Sequence, residues 1–362
     1  MKRRTRRTRT GTSRPHWSAR LEDRVNQLLQ TRLRERGWRV RIEPYTGYGN
    51  QHEVRLLART LLARSEDDVA EPVLDADVGF GSEPYEPMRP VRGWRNFLNV
   101  AAIRSRVRVE LGGETFELSA DRSGCLDVVV PIALAPGWHQ ATVTSVDGDV
   151  ASCPVLVVGD DVRLGLVSDI DDTVMMTWIP RPALAAWNAL VLHENARRVV
   201  PGMPVLYNEI LHRHPDAPVI YLSTGAWNVA PALRRFLVAH GFPAGPLLLT
   251  DWGPTNTGLF RSGREHKEVN LRQLVKMFPN VAWLLVGDDG QHDPEIYGDL
   301  ARERPDRVLA IVLRQLTAPE HVLSRGVTGP NDRVPAGLNA VPVVRGHDGA
   351  ALRSRLSDAH VA

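Results

Sequence analysis

The sequence predicts an α/β protein: a doubly wound, mostly parallel sheet over residues 161–325, preceded by a small β-rich, sandwich-like domain over residues 39–160. Two observations predict it. Upstream of Asp161, short segments alternate apolar with polar residues between turn dipeptides, as half-buried antiparallel strands do. Downstream, compact Val/Ile/Leu-rich runs alternate with helical stretches, as parallel strands covered on both faces do.

The elements follow in order. Lys2, Arg3, Arg4, Arg6, Arg7, Arg9, Arg14 and Arg20 precede the first acid, Glu22. Such a block repels itself, so residues 1–16 read as a disordered basic arm. It could touch anionic lipid or nucleic acid, or serve only as a solubilising tail. Residues 17–38 read as a helix, with Leu21, Val25, Leu28, Leu29 and Leu33 at helical spacing and Gly37 as its stop. Val40 and Ile42, then Val54, Leu56 and Ala58, alternate as in strands. The acidic, Pro- and Gly-rich stretch from Glu66 to Pro90 reads as a loop, and Trp94 to Val100 as a short helix. Four further strands are expected at 107–111, 115–118, 126–132 and 139–146, separated by Gly112-Gly113, Asp121 to Gly124, Pro136-Gly137 and Asp147-Gly148. In the second regime the strand candidates are 164–168, 219–223, 281–286 and 308–312. The helical candidates are 182–195, 203–213, 229–240, 267–277 and 294–304. Residues 326–362, rich in Gly, Pro, Arg and Asp, read as a flexible tail.

Composition narrows the class. Apolar residues make up 43% and charged residues 24%, as in an ordinary globular chain, and the formal net charge is only +3. No apolar stretch reaches bilayer-spanning length, and the basic N-terminus lacks the apolar run of a secretory signal. A cytoplasmic protein, with an option of peripheral membrane contact, is the expectation. Two cysteines, Cys125 and Cys153, build neither a disulfide framework nor a Cys-rich metal site.

Four segments carry chemistry. The run 164–168 leads into Asp169-Ile170-Asp171-Asp172-Thr173. Carboxylates this close repel, and one holds its proton unless a cation joins them. A hard divalent metal with oxygen ligands meets that need, although Asp-Asp-Thr after a strand also suits a plain helix cap. The second strand ends in Ser223-Thr224-Gly225, where a hydroxyl beside backbone N–H groups suits a phosphate oxygen, or again a cap. Lys267 opens a predicted helix, against the helix dipole, which an anion at the strand mouths would explain. The third strand ends in Gly287-Asp288-Asp289-Gly290 and continues to Asp293-Pro294, where Asp293 is expected to cap the next helix from the position before Pro294. Ligands of open α/β sheets bind beyond the carboxyl ends of the strands, where all four segments fall.

In this order the segments Ser168 to Val174 (SDIDDTV), Ser223 to Asn228 (STGAWN), Arg261 to Lys267 (RSGREHK) and Gly287 to Tyr297 (GDDGQHDPEIY) resemble the haloacid dehalogenase superfamily phosphatases. More closely, they resemble the actin-patch type phosphatidate phosphatase catalytic domain. The likeness spans about residues 160–316, with a weaker echo at Tyr45 to Asn50 (YTGYGN). The resemblance implies a haloacid dehalogenase-like fold and Mg²⁺ held by Asp169, the Asp171 carbonyl, Asp288 and Asp293. It implies Asp169 as nucleophile, Asp171 as general acid and base, Ser223 on a phosphate oxygen and Lys267 as the neutralising cation. Thr173 would support the first loop, and Thr173 and Thr224 would lie on the substrate side. Two departures stand out. Gly225-Ala226 replaces the family's common Ser-Pro, and Asp289 adds a carboxylate beside the expected metal.

The gaps between Thr173 and Val219 and between Gly225 and Lys267 leave no room for a large cap, so an open mouth is expected. Trp178, in the apolar stretch after the nucleophile loop, is the candidate to meet acyl chains. The expected activity is Mg²⁺-dependent hydrolysis of a phosphomonoester through an aspartyl-phosphate, foremost phosphatidate to diacylglycerol. A protein or soluble phosphomonoester is the second substrate reading, and a non-catalytic lipid- or protein-binding adaptor the third. No specific nucleic-acid partner is expected.

Overall fold

The computed structural model describes residues 6–7, 29–64, 100–176, 198–250, 263–325 and 341–359. The loop expected at 66–90, most of the short helix at 94–100, the helix at 182–195 and Trp178 lie outside them. Of the first predicted helix, residues 29–35 are described and are helical; the chain then turns at Gly37, whose φ of 83° suits a residue without Cβ.

The N-terminal strands are β1 (Arg6–Arg7), β2 (Trp38–Pro44), β3 (Gly47–Asn50), β4 (Glu53–Arg64), β5 (Val100–Ala101), β6 (Arg106–Leu111), β7 (Glu114–Ser119), β8 (Cys125–Pro131), β9 (Gly137–Ser145) and β10 (Val150–Val158). Hydrogen bonds join them into one ten-stranded sheet along the path β1-β8-β4-β3-β10-β9-β6-β7, with β2 and β5 also on β4. The alternation in sequence sets their faces. In β6, Val107, Val109 and Leu111 are buried while Arg106, Arg108 and Glu110 are exposed. The buried faces of β4, β6, β7, β8, β9 and β10 share one apolar cluster, so the sheet encloses its own core. The sequence predicts an antiparallel sandwich. The sheet is antiparallel except that β10 runs parallel to β3; six strands intervene between them in the chain, ample for the crossover a parallel pair needs. Cys125 and Cys153 are buried free thiols, and burial pushes the Cys153 thiol up to about 12. Where the sequence suggests a disordered arm, Arg6–Arg7 pairs antiparallel with β8, whose outer edge offers unpaired backbone groups.

The second sheet is wholly parallel. Its strands are β11 (Leu164–Ser168), β14 (Val219–Ala226), β15 (Leu247–Thr250), β16 (Ala282–Asp288), β17 (Val308–Arg314) and β18 (Val343–Gly346), in the order β15-β14-β11-β16-β17-β18. A two-residue ribbon of β12 (Met175–Met176) and β13 (Arg198–Val199) lies between β11 and β14 in sequence. The helices are α1 (Met203–Arg213), α2 (Ala230–Ala239), α3 (Gly263–Met277), α4 (Asp293–Glu303), α5 (Ala318–Arg325) and α6 (Gly349–Asp358). Both faces of the sheet are covered, which explains the uncharged runs: β11, β14 and β16 are buried almost throughout. From the central β11 the chain moves to β14 and β15 on one side, then to β16, β17 and β18 on the other. The order therefore reverses between β11 and β16, and that crevice is where this topology places ligands.

The expected C-terminal tail is structured over 341–359. β18 extends the sheet, and Leu352 and Leu356 of α6 enter the main core. The two leucines sit four apart on one helix face, and Asp348 caps that helix by accepting from the Ala351 N–H at 2.8 Å. Its first residue, Gly349, lies so close to Gly202 that a Cβ would meet backbone at 2.1 Å. Gly and Pro here mark close packing, not disorder.

Leu352 is fully buried. Leu352→Ala is therefore expected to cost ~2–5 kcal/mol of stability, read as a shift in the urea midpoint. A shift below ~0.5 kcal/mol, as at a surface position, would return the segment to the status of a tail.

Candidate active site

The site forms at the β11/β16 crevice from the two strand ends that flank it. After Ser168 the chain turns: the Ile170 carbonyl accepts from the N–H groups of Val174 (3.0 Å) and Met175 (3.1 Å). Asp172 takes the left-handed conformation at φ 57°, which a short Asp side chain tolerates. The Asp169 N–H donates to Val286 O at 2.9 Å, fixing the loop to the neighbouring strand. Arg314, at the end of β17, donates to the Asp172 carbonyl at 2.8 Å and to Glu320 at 2.6 Å. Behind the loop, the Ser168 hydroxyl donates to the Asp169 carbonyl at 2.6 Å and pairs with the Tyr207 hydroxyl at 2.7 Å. Asp169 is thus held from three sides.

Lys267 stands opposite. Its Nζ donates to Asp169 Oδ1 at 2.7 Å and to Asp293 Oδ1 at 2.5 Å, and all three side chains are buried. The sequence places Lys267 at a helix start. α3 begins at Gly263, so the lysine lies one turn inside and two carboxylates, rather than the dipole, account for its position. Asp293 likewise differs from expectation. It is not the capping residue of α4, whose N-cap is His292; its carboxylate turns inward to Lys267 and, at 3.4 Å, to the Asp288 N–H. A salt bridge to a buried ammonium outweighs a cap. Gly287 is required for this: a Cβ there would meet Asp293 Oδ2 at 2.5 Å and the Tyr297 ring at 2.8 Å.

Carboxylate oxygens of Asp169, Asp288 and Asp293 lie within 4.8 Å of one another. Asp288 Oδ1 accepts from the Gly290 N–H at 2.7 Å, while its buried Oδ2 has no hydrogen-bond partner among the described residues. When ionised, three carboxylates against one ammonium leave an excess of two negative charges. The donor set, all hard oxygen, and the orphaned Oδ2 fit a divalent cation. Burial, together with the neighbouring acids, raises the pKa of both Asp169 and Asp288 well above the ordinary carboxylate value, with Lys267 pulling the other way. For Lys267, burial favours the neutral amine, but Asp169 and Asp293 outweigh it and hold the ammonium above its usual range.

The remaining predicted residues fall as follows. The Asp171 carboxylate is not in the three-acid group; it accepts from the Ser223 hydroxyl at 3.1 Å. Ser223, three residues before the end of β14, also accepts from the Gly225 N–H at 3.0 Å. Thr173 is fully buried, with its hydroxyl 3.5 Å from Asp169 Oδ2, so it lies behind the nucleophile candidate instead of on a substrate surface. Thr224 is half-buried; its carbonyl accepts from the Thr250 hydroxyl at 2.9 Å, and its methyl borders Gly263. Asp289 does not join the three acids. Its Oδ1 accepts from the Leu316 N–H at 2.9 Å and lies 3.5 Å from His321, so this extra carboxylate ties down the β17–α5 connection. Arg314 and Tyr207 were not singled out from sequence. A lone Arg closing the apolar run of β17 was the available signal for the first; Tyr207 carries none.

A parallel α/β domain with an acid–lysine centre at its switch point is the class this fold and site define, the arrangement expected of a haloacid dehalogenase-like domain. Residues 164–315 match the family described as phosphatidate phosphatase APP1, catalytic domain. Phosphatidate phosphatase APP1 of Saccharomyces cerevisiae is 31% identical over 152 residues, covering 42% of this chain and 26% of that protein. An uncharacterized protein of Schizosaccharomyces pombe is 23% identical over 154 residues, 42% of this chain and 25% of its own. The match thus spans about a quarter of each relative's length. Among solved structures, a carbohydrate acetylesterase from Xanthomonas citri aligns over 90% of this chain and 75% of its own, at 11% identity and a TM-score of 0.33. The HAD domain of effector protein Lem4 from Legionella pneumophila aligns over 43% of this chain and 87% of its own, at 14% identity and a TM-score of 0.28. At those scores neither bears on function.

The raised acid pKa values carry a sign. A carboxylate that binds its proton more tightly when folded loses stability as pH rises from its unfolded value toward its folded one. With chelator present, Asp288→Asn, which cannot ionise, is therefore expected to gain on the wild type as pH rises from mildly acidic to neutral. Urea midpoints across that range check this; a difference that stays flat or reverses would contradict it.

Proposed function

We propose that this protein is a Mg²⁺-dependent phosphatase that hydrolyses a phosphomonoester through a phosphorylated Asp169, with phosphatidate as the foremost substrate. One observation carries it: Asp169, Asp288 and Asp293 converge around Lys267 at the sheet's switch point. The match of residues 164–315 to the APP1 catalytic domain supports the choice of a lipid phosphate.

The roles follow from position. An Asp169 oxygen attacks phosphorus, and the bond to the leaving alkoxide breaks. The alkoxide takes its proton from Asp171, which then accepts one from the water that attacks the acyl phosphate and frees inorganic phosphate. Asp171 accepts from the Ser223 hydroxyl, so the acid and the hydroxyl assigned to a phosphate oxygen share one side of the site. Lys267 offsets the charge gathered on Asp169 and the phosphoryl oxygens, where a fixed cation in a dry site counts most. Asp169, Asp288 and Asp293, with the Asp171 carbonyl, would hold the Mg²⁺, which when bound supplies further positive charge to the phosphoryl group. Trp178 as an acyl-chain contact rests on sequence alone. Among the described residues no helix is long and apolar enough to cross a membrane; the proposed lipid substrate is met at a membrane surface. The basic arm is proposed to aid that meeting by attraction to anionic headgroups.

Purified protein is expected to release phosphate from phosphatidate in mixed micelles faster than from small soluble phosphomonoesters, and to stop when Mg²⁺ is chelated. Asp169→Asn should lower release by ~10³-fold or more while the fold is kept. Preference for the soluble esters would move the substrate to the second reading. Release that survives Asp169→Asn would end the covalent mechanism, and no release from the wild type under any of these conditions would favour an adaptor.

A further inference from the structure

The motif Tyr45 to Asn50 (YTGYGN) lies in the β-rich unit, far from the acid–lysine centre in sequence, and the mechanism leaves it without a task. The structure places it against the two elements that carry Ser223 and Lys267. Tyr45 stacks on Trp227 with ring centroids 4.3 Å apart, and its hydroxyl donates to Trp227 O at 3.3 Å. Trp227 opens the single turn that follows β14, four residues after Ser223. Asn50 donates from Nδ2 to Met277 O at 2.8 Å, satisfying a carbonyl at the C-terminal end of α3. Between these two contacts lies a buried polar network. Arg55, on β4, donates from Nη1 to the Tyr48 hydroxyl at 2.6 Å and to Asn270 Oδ1 at 2.9 Å, and from Nε and Nη2 to Asp127 at 2.6 and 2.7 Å. Asn270 lies three residues after Lys267 on α3 and donates to His266 O at 2.9 Å.

The β-rich unit thus grips the Lys267 helix at Asn270 and at Met277, and the Ser223 strand end at Trp227. Burying an arginine is costly unless its donors are matched; here three side chains take them up, two from the β-rich unit and one from α3. An apolar interface would hold the two units together as well. A directional one also fixes rotation and translation of α3, and the reach of Lys267 to Asp169 depends on both. We propose that the β-rich unit is part of the catalytic apparatus: Arg55, acting through Asn270, and Tyr45, acting through Trp227, are positioning residues that set Lys267 and Ser223 against Asp169. This rests on the phosphatase reading above, but the grip itself can be tested without it.

The test uses the full chain with Arg55→Lys, which keeps the charge and loses the fork, and Tyr45→Leu, which loses the stack. Deuterium uptake, melting temperature, kcat and KM are measured on each, with Tyr45→Phe as the conservative partner. For Arg55→Lys, faster exchange in peptides covering 263–277 is expected. With it should come a fall of about tenfold in kcat and a KM changed by less than about twofold, since small misplacements of catalytic groups act on rate. For Tyr45→Leu the faster exchange should appear in 223–230, and Tyr45→Phe should restore most of kcat. Lower melting temperatures with unchanged kcat and unchanged exchange in these two segments would overturn the proposal, leaving a merely structural interface. Faster exchange in the two segments of a protein whose wild type releases no phosphate would support the grip and sink the phosphatase reading instead.

Discussion

The burial of three carboxylates around a single ammonium is the constraint on which the rest of the second domain depends. Removing an ion from water costs several kcal/mol even after relaxation. Asp169, Asp288, Asp293 and Lys267 are all buried. The cluster persists only because the fold holds each member from outside. Val286 and Ser168 fix the Asp169 backbone, Gly287 lets Asp293 approach, and Gly290 donates to Asp288. The arrangement is poor as a stability device and good as a preorganised charge centre, where fixed groups need not reorganise as charge moves.

The parallel topology explains why the cluster sits where it does. In an open sheet the crevice between strands whose connections leave in opposite directions is the one place not roofed by a crossover. β11 and β16 flank that crevice; β16 ends in Asp288, and β11 leads directly into Asp169. Arg314, one strand further out, reaches back to clamp the Asp172 carbonyl, so even β17 contributes to the loop that carries Asp169. The β-rich sheet contributes from the other side, through Arg55, Tyr45 and Asn50.

Much of this was legible in the sequence, for identifiable reasons. Strands 164–168 and 308–312 were readable because burial on both faces excludes charge, and 203–213 because its apolar residues keep helical spacing. The four site segments were readable because acids and a lysine beside strand ends have few bland explanations in combination. Other features left little local trace. β15 and β18 are four residues each, too short for periodicity to register, and β18 lies in a Gly- and Pro-rich stretch whose composition imitates disorder. For Asp293 the residues alone suggest a cap before Pro294, while the family resemblance implies an inward role; the buried ammonium 26 residues earlier in the chain accounts for the inward turn. Asp289 reads as an extra carboxylate beside the expected metal because sequence cannot tell which way consecutive side chains point. Its hydrogen bond to the Leu316 N–H decides that.

On the proposed reading, the negative charge gathered at Asp169, Asp288 and Asp293 serves to hold a divalent cation. Calorimetric titration of Mg²⁺ into the metal-stripped protein measures this directly. One site is predicted for the wild type and none for Asp288→Asn. Equal binding by the two proteins, or no binding by either, would contradict it.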